Sequence, residues 1–265
     1  MDIKNFYAQP DEKPLDRIVE DGGFCGIFRT IGCVGDSLSS GEFESLSNEG
    51  IVGWHDFYEY SWGQYMSRTL GNKVFNFSKG GLTAQTFNDT YADKCGIFDY
   101  DKVCQCYIIA LGVNDISSGI EVGDPKNIDP TKTNVEDKSF LRYYTDIIRN
   151  IKRRQPDAKF FLMTMPRSNR DAEREEKVEK FCEAIRSIEK MFNNIYILDF
   201  RKYAPVYDDE FRKHFYLAGH LNPAGYMLTA KMVMSYIDYI IRKNPEDFAQ
   251  VGFMGTPYYN KNYKR

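Results

Sequence analysis

Short apolar runs alternate along the chain with longer segments in which apolar residues recur at helical spacing. The apolar runs are rich in β-branched and aromatic residues and predict five strands, at Phe28–Val34, Lys73–Phe77, Val103–Leu111, Lys159–Met165 and Ile195–Phe200. The segments with helical spacing predict helices at His55–Leu70, Ser139–Arg154 and Ala172–Asn193 and from Asn222-Pro223 onward. Because strands and helices alternate, we expect an α/β fold with a five-stranded parallel sheet covered by helices on both faces.

The pattern divides the chain into one folded core and several attached segments. We assign residues 28–243 to the core, residues 1–27 to an N-terminal extension and residues 244–265 to a C-terminal tail. Two polar, glycine-containing loops, Ser39–Trp54 and Ser117–Lys138, interrupt the alternation. Loops of this length are usually functional or disordered. Two interpretations stay open for them, substrate shaping and surface decoration.

Charge and composition exclude several classes of function. The 265 residues include 35 Lys and Arg and 38 Asp and Glu, so no basic surface for nucleic acid or an anionic membrane is expected. No run approaches the roughly 18 apolar residues of a membrane span. The N-terminus has no apolar signal segment, which predicts a cytoplasmic protein unless a leader was removed. The six cysteines match no zinc or redox spacing, and no Gly-rich phosphate loop occurs, so neither a metal nor a cofactor is expected.

Four short motifs follow predicted strands or precede the last helix. They are Gly35-Asp36-Ser37-Leu38, Asn76-Phe77-Ser78-Lys79-Gly80-Gly81, Gly112-Val113-Asn114-Asp115 and Gly219-His220-Leu221-Asn222-Pro223. Residues beyond the carboxyl ends of parallel strands meet at one rim of the sheet. A serine there needs an adjacent base to take its proton, and histidine does this near neutral pH. Glycine N–H groups and asparagine amides are suited to stabilising the oxyanion of acyl transfer.

The order and spelling of these motifs resemble the GDSL, or SGNH, hydrolase family. The resemblance covers about residues 28–239 and implies a three-layer α/β/α, flavodoxin-like fold that hydrolyses esters, commonly with a serine nucleophile. The implied site residues are Ser37 as nucleophile, His220 as base, and the Ser37 N–H with Gly81 and Asn114 as oxyanion hole.

One position departs from the family pattern. Family members usually carry an Asp three residues before the His, and Leu217 stands there in this chain. A triad acid holds the imidazole in one tautomer and stabilises the imidazolium, so three substitutes are open. They are a backbone carbonyl near Leu217 that accepts the Nδ1–H of His220, a carboxylate folded back from Asp208, Asp209 or Glu210, and a degenerate site. We expect the carbonyl, and therefore a Ser–His dyad.

The predicted activity is hydrolysis of a carboxylic ester that carries a short acyl group such as acetyl. Because the loops offer no long apolar lid and are rich in aromatic residues, we expect a small-molecule or carbohydrate ester as substrate. Candidate substrate-binding residues are Trp54, His55 and Arg167. The alternatives are a non-catalytic binding module built on a decayed hydrolase site, a lysophospholipase or thioesterase, and a flavodoxin-like cofactor binder.

Overall fold

A five-stranded parallel sheet forms the centre of the computed structural model, which describes residues 2–169, 171–261 and 263. The strands of this sheet, in chain order, are β1 (Thr30–Gly35), β4 (Lys73–Ser78), β5 (Cys106–Ala110), β6 (Lys159–Met163) and β7 (Ile195–Leu198). They lie side by side in the order β4-β1-β5-β6-β7, and every neighbouring pair is parallel. The α/β fold predicted from the alternation is therefore confirmed, with each strand within a few residues of its expected place.

Two antiparallel hairpins lie outside this sheet. The first joins β2 (Glu42–Leu46) to β3 (Val52–Asp56), and the second joins β8 (Tyr216–Leu217) to β9 (His220–Leu221). The α-helices, in chain order, are α1 (Ser37–Ser40), α2 (Trp62–Leu70), α3 (Ala84–Thr86), α4 (Ala92–Cys95), α5 (Val113–Ser117), α6 (Phe140–Arg154), α7 (Ala172–Ser187), α8 (Phe200–Tyr203), α9 (Asp209–Phe215), α10 (Pro223–Lys243) and α11 (Pro245–Phe248).

Apolar side chains from both faces of the sheet form the core. Along β5, Cys106 and Ile108 pack on the face covered by α2 and α10, whereas Tyr107 and Ile109 pack on the face covered by α6 and α7. This division follows from the alternation of side chains along a strand. Both faces are buried, which explains why the strands read as nearly continuous apolar runs.

The chain order of the strands places a switch point beside β1. From β1 the chain crosses to β4 on one side of it and then to β5 on the other. In open α/β sheets, a crevice forms at the carboxyl ends of the strands where the direction of crossover changes. The segments that follow β1, β4 and β5 contain three of the four sequence motifs, so the fold brings these motifs to one rim.

The segment after the first motif differs from the sequence prediction. The expected loop Ser39–Trp54 and the start of the expected helix His55–Leu70 form α1 and the β2–β3 hairpin, and the helix begins only at Trp62. Ser61 caps that helix by accepting a hydrogen bond from the Gln64 N–H. A turn at Gly50 between two strand-like runs is typical of a hairpin. The two runs are short and polar, so this sequence pattern was weak.

The long loop Ser117–Lys138 is anchored on α6 by buried charges. Asp146 pairs with Arg142 and Arg149, and its Oδ1 accepts a hydrogen bond of 2.8 Å from the Thr133 hydroxyl. Arg149 also donates to the carbonyl of Asp129 at 2.9 Å. This carboxylate with its two guanidinium groups therefore fixes the far end of the loop to the core.

Residues assigned above to the N-terminal extension and the C-terminal tail pack against the rest of the fold. Glu12 pairs with the buried Arg242 of α10, and the Val19 N–H donates to Ser235 of the same helix. The tail contributes Phe248, Val251 and Met254 to the core. Met1, Asn262, Lys264 and Arg265, which belong to the predicted extension and tail, lie outside the described residues.

Among the described residues, no helix is both long enough and apolar enough to cross a membrane.

Replacing Asp146 with Ala should destabilise the fold by about 3–5 kcal/mol, because it leaves Arg142 and Arg149 buried without their partner. The free energy of unfolding in urea measures this change. Glu173→Ala is a matched control, since its ion pair with Lys177 is exposed and should contribute much less to stability. Equal losses in the two variants would contradict the anchoring role of Asp146.

Candidate active site

Ser37 is the first residue of the short helix α1 and lies directly beyond the carboxyl end of β1. Asp36 caps this helix, because its Oδ1 accepts a hydrogen bond of 3.0 Å from the Leu38 N–H. Asp36 is buried, whereas Ser37 is partly exposed. The motif therefore holds a serine at a helix start, with its neighbour buried beneath it.

Gly81 and Asn114 lie on the loops after the two strands that flank β1. Gly81 has a φ of 76°, and a Cβ at this position would meet nothing within 4 Å, so its backbone is open on that side. The Asn114 Nδ2 donates to the Leu82 carbonyl at 3.1 Å. This bond joins the two loops and engages one N–H of the amide, which leaves the other N–H for a ligand.

His220 stands on the β8–β9 hairpin just before α10. Ala218 and Gly219 form the two-residue turn of this hairpin, and Ala218 has a φ of 54°. Non-glycine residues adopt this left-handed conformation at some cost in energy. The turn is held by Arg212, which donates to the Ala218 carbonyl at 3.1 Å.

A carboxylate that is distant from His220 in the sequence contacts its ring. The Nδ1 of His220 lies 2.7 Å from Glu44 Oε1, and Glu44 Oε2 accepts a hydrogen bond of 3.1 Å from the Gly219 N–H. The prediction of a backbone carbonyl at Nδ1 is therefore wrong. Asp208 and Glu210 have other partners, because Asp208 caps α9 and Glu210 pairs with His214.

The ionisation of Glu44 is set by these contacts. Burial opposes ionisation, but the Gly219 N–H, His220 and Arg212 together hold the pKa of the Glu44 carboxyl below its usual value. Glu44 is therefore a carboxylate at neutral pH.

A second carboxylate, Glu42, contacts the opposite nitrogen of the same ring. Glu42 Oε1 lies 3.1 Å from His220 Nε2. Burial raises the pKa of the Glu42 carboxyl, nearby Asp56 and Glu44 raise it further, and His220 opposes the shift. In the described part of the chain, Nε2 contacts Glu42 and makes no hydrogen bond with the Ser37 hydroxyl.

Two glycines of the motifs make room for these two carboxylates. A Cβ at Gly80 would lie 2.0 Å from Glu42 Oε2, and one at Gly219 would lie 2.3 Å from Glu44 Oε1. Gly80 and Gly81 thus have different surroundings, since Gly80 lies against the Glu42 carboxylate and Gly81 is open.

The β2–β3 hairpin is attached firmly beside the serine. The Tyr226 hydroxyl of α10 lies 2.7 Å from the Glu42 carbonyl and 3.4 Å from the Ser37 carbonyl. The Ser40 hydroxyl donates to Asp56 at 2.5 Å. These contacts join α1, the hairpin and α10, so the backbone of the hairpin is held in place relative to Ser37.

The three candidate substrate-binding residues lie in different places. Trp54 pairs with Glu44 across the hairpin, so both side chains project from the same face, and Trp54 is 61% exposed. His55 pairs with Phe43 on the opposite face and contacts the Ser45 hydroxyl at 2.8 Å. Arg167 is exposed on the loop after β6. Of these residues, only Trp54 shares the hairpin face that contacts His220.

A cavity of about 310 Å³ adjoins the rim on the side of β5 and β6. Its wall includes Asp36 and Leu38, which flank Ser37, and Gly219 and Leu221, which flank His220. Most of the remaining wall is apolar, and it includes Leu111, Val113, Met163, Met165, Val178 and Phe200. Ser37, Gly81, Asn114 and His220 are themselves not part of this wall, so the cavity lies next to the candidate catalytic residues and contacts their chain neighbours.

Burial also affects two acids beneath the rim. It raises the pKa of Asp36 to about 7, with Asp115 and Glu42 adding to the shift and the Leu38 N–H opposing it. Burial likewise raises the pKa of Asp115 to about 6, against the hydrogen bond from the Ala84 N–H. In the described structure Asp115 Oδ2 is buried without a hydrogen-bond partner. Perturbed carboxyl groups of this kind cluster at functional sites.

The described residues contain no group of three or more His, Cys, Asp or Glu side chains arranged to hold a metal ion.

Comparison with known proteins relates the site to one family. The model of the GDSL-like lipase/acylhydrolase family matches residues 33–228, a range that contains all four motifs. No curated protein matches the sequence.

Solved structures with the same fold include esterases of low sequence identity. A family two carbohydrate esterase from Clostridium thermocellum, in complex with cellohexaose, is 16% identical with a TM-score of 0.57 over 80% of this chain and 64% of that one. The esterase EstA from Pseudoalteromonas, inhibited by monoethylphosphonate, is 15% identical with a TM-score of 0.53 over 81% and 100%. A catalytic mutant of an acetylxylan esterase from Geobacillus stearothermophilus is 17% identical with a TM-score of 0.50 over 79% and 94%.

Replacing Asp36 with Asn should change how stability depends on pH. The Asp36 carboxyl keeps its proton in the folded state up to about pH 7, whereas the unfolded chain loses it near its ordinary value of 3.8. The folded state then binds more protons, so this group lowers the free energy of unfolding as pH rises from about 4 to about 7. Urea unfolding at several pH values should show that the free energy of unfolding of the variant increases relative to that of the wild type over this range. Parallel curves would contradict the prediction.

Proposed function

The chain belongs to the GDSL-like lipase/acylhydrolase family, and we propose that it hydrolyses carboxylic esters through an acyl-enzyme on Ser37. The observation that carries the proposal is the position of the four motifs. Ser37, Gly81 and Asn114 follow three adjacent strands, and the strand that bears His220 contacts α1. A nucleophile, oxyanion donors and a base thus attach to one rim, as acyl transfer requires.

In the acylation step, Ser37 Oγ attacks the ester carbonyl while His220 Nε2 takes the hydroxyl proton. The carbonyl oxygen becomes an oxyanion, which accepts hydrogen bonds from the N–H groups of Ser37 and Gly81 and from Asn114 Nδ2. Loss of one such donor typically costs about 10²–10³ in rate. The C–O bond then breaks, and the imidazolium returns its proton to the leaving alkoxide.

In the deacylation step, water replaces the alcohol. His220 Nε2 takes a proton from the water as its oxygen attacks the acyl-enzyme carbonyl, and the same donors hold the second oxyanion. The Ser37 oxygen leaves with the proton from His220, which releases the carboxylic acid and restores the enzyme.

We propose a short acyl group on a carbohydrate or another small alcohol as the substrate. The cavity of about 310 Å³, which contacts residues that flank Ser37 and His220, is near the lower end of the range of small-molecule sites, about 300–1,000 Å³. Trp54 presents an exposed aromatic face near Glu44, and such faces suit sugar rings. The fold is also that of carbohydrate esterases, so it is compatible with a substrate of this class.

The main argument for a non-catalytic binding module is weakened by the structure. That interpretation rested on Leu217, which leaves no acid at the usual spacing from His220. A carboxylate oxygen of Glu44 lies 2.7 Å from Nδ1, which supports a catalytic site in spite of Leu217.

Ser37→Ala should abolish hydrolysis of p-nitrophenyl acetate and leave the fold intact, because no other group in the proposed mechanism attacks the carbonyl. Loss of a triad nucleophile costs about 10⁶ in turnover. Labelling by a phosphonate ester, followed by mass spectrometry, should modify Ser37 in the wild type and leave the variant unlabelled. Activity of the variant within about tenfold of the wild type would exclude Ser37 as the nucleophile.

Esters of short acids should react faster than esters of long ones, because the adjoining cavity is small. The values of kcat/KM for p-nitrophenyl acetate, butyrate, octanoate and palmitate measure this preference. A steady rise toward palmitate would instead favour a lipase-like or lysophospholipase activity.

A further inference from the structure

We propose that Glu44, carried by the β2–β3 hairpin, is the residue that orients His220 in place of the family's Asp before the histidine. This inference rests on the proposed function. It names Glu44 as a positioning residue, which acts through His220 and does not touch the substrate. The two residues are 176 positions apart in the chain, so the acid reaches the site from a different element.

Both oxygens of the Glu44 carboxylate are engaged at the His220 turn. Oε1 lies 2.7 Å from His220 Nδ1, and Oε2 accepts the Gly219 N–H at 3.1 Å. The side chain is only 16% exposed. Two bonds to adjacent residues fix the plane of the carboxylate relative to the ring. The proton therefore stays on Nδ1, which leaves the lone pair of Nε2 for the serine proton.

Charge completes the role of Glu44. When His220 takes the serine proton, the ring becomes an imidazolium, and a carboxylate in direct contact stabilises that positive charge. A backbone carbonyl would fix the same tautomer but would supply no full negative charge.

The β8–β9 hairpin shows why an acid at position 217 and Glu44 are equivalent. Leu217 pairs directly with His220 across this hairpin. Residues paired in this way have side chains on the same face, with Cβ atoms about 4.5–5.5 Å apart. An Asp at position 217 would therefore stand beside the imidazole. Leu217 is 51% exposed, so the change can be made without disturbing the core.

Glu42 is a second carboxylate on the same ring, but it contacts Nε2 at 3.1 Å. This is the nitrogen that must face Ser37 in the proposed reaction, so Glu42 has to yield that position during catalysis. The charged groups around the two carboxylates are His220, Asp56, Asp36 and Arg212. Glu44 and Glu42 thus contact opposite nitrogens of the ring, and only the Glu44 contact is compatible with the reaction.

The first test is Glu44→Gln, assayed with p-nitrophenyl acetate. We expect kcat to fall by on the order of 10⁴, the cost of converting a triad acid to its amide, with KM little changed. Because the imidazolium loses a carboxylate partner, the acidic limb of the pH profile of kcat/KM should move to lower pH. A folded variant with activity within about tenfold of the wild type would overturn the proposal.

The second test is rescue by a new acid at position 217. The double variant Glu44→Gln with Leu217→Asp should recover at least tenfold in kcat over Glu44→Gln alone and move the acidic limb back toward higher pH. Leu217→Asn in the same background is the matched control and should recover nothing, since it adds the same shape without the charge. A folded double variant as inactive as the single one would show that Glu44 acts through local structure, which overturns the proposal.

Gly219→Ala tests the same contact with Glu44 itself unchanged. A Cβ at position 219 would lie 2.3 Å from Glu44 Oε1 and must displace this carboxylate. Because the carboxylate ends a flexible side chain, we expect normal folding with a loss of kcat of at least tenfold. If Glu44→Gln fails to fold, this variant decides the question, and wild-type turnover in it would overturn the proposal. Ser37→Ala separates the two hypotheses, because an inactive Ser37→Ala with an active Glu44→Gln contradicts only the role of Glu44.

Discussion

The bond between Glu44 and the His220 turn is the contact on which the arrangement of the candidate site depends. One carboxylate accepts the Gly219 N–H and contacts His220 Nδ1. It therefore fixes both the path of the turn and the orientation of the ring. The turn includes Ala218 in a left-handed conformation, which persists only where surrounding contacts hold it. Glu44 from one side and Arg212 from the other provide those contacts.

The position of the two hairpin carboxylates requires glycines beside them and leaves several acids buried near His220. Gly80 and Gly219 lack the Cβ atoms that would occupy the positions of the two hairpin carboxylates. The result is a group of acids near one histidine, with burial raising the pKa of Asp36 and Glu42. Keeping these groups buried lowers stability near neutral pH. Such a cost is common where a site is arranged for chemistry and not for stability.

The β2–β3 hairpin carries both the carboxylates that contact His220 and a candidate substrate-binding residue. Its inner face carries Glu42 and Glu44 at the ring of His220, and Trp54 lies on the same face opposite Glu44. The Tyr226 hydroxyl, which lies 2.7 Å from the Glu42 carbonyl, holds the base of the hairpin against α10. A substrate group that contacts Trp54 would thus be positioned by the same element that orients the base.

The sequence by itself determined the sheet, its helices and the rim at which the motifs meet. Buried strands such as β5 read as apolar runs because both faces are covered, and the polar residues of a rim must follow such strands. Only the tertiary structure decided which carboxylate contacts His220. Glu44 lies in a short polar hairpin without a strong periodic pattern, and its partner is 176 residues away. Local spacing therefore indicated a backbone carbonyl near Leu217 or, failing that, a carboxylate of residues 208–210, whereas side-chain packing between distant segments fixed the contact.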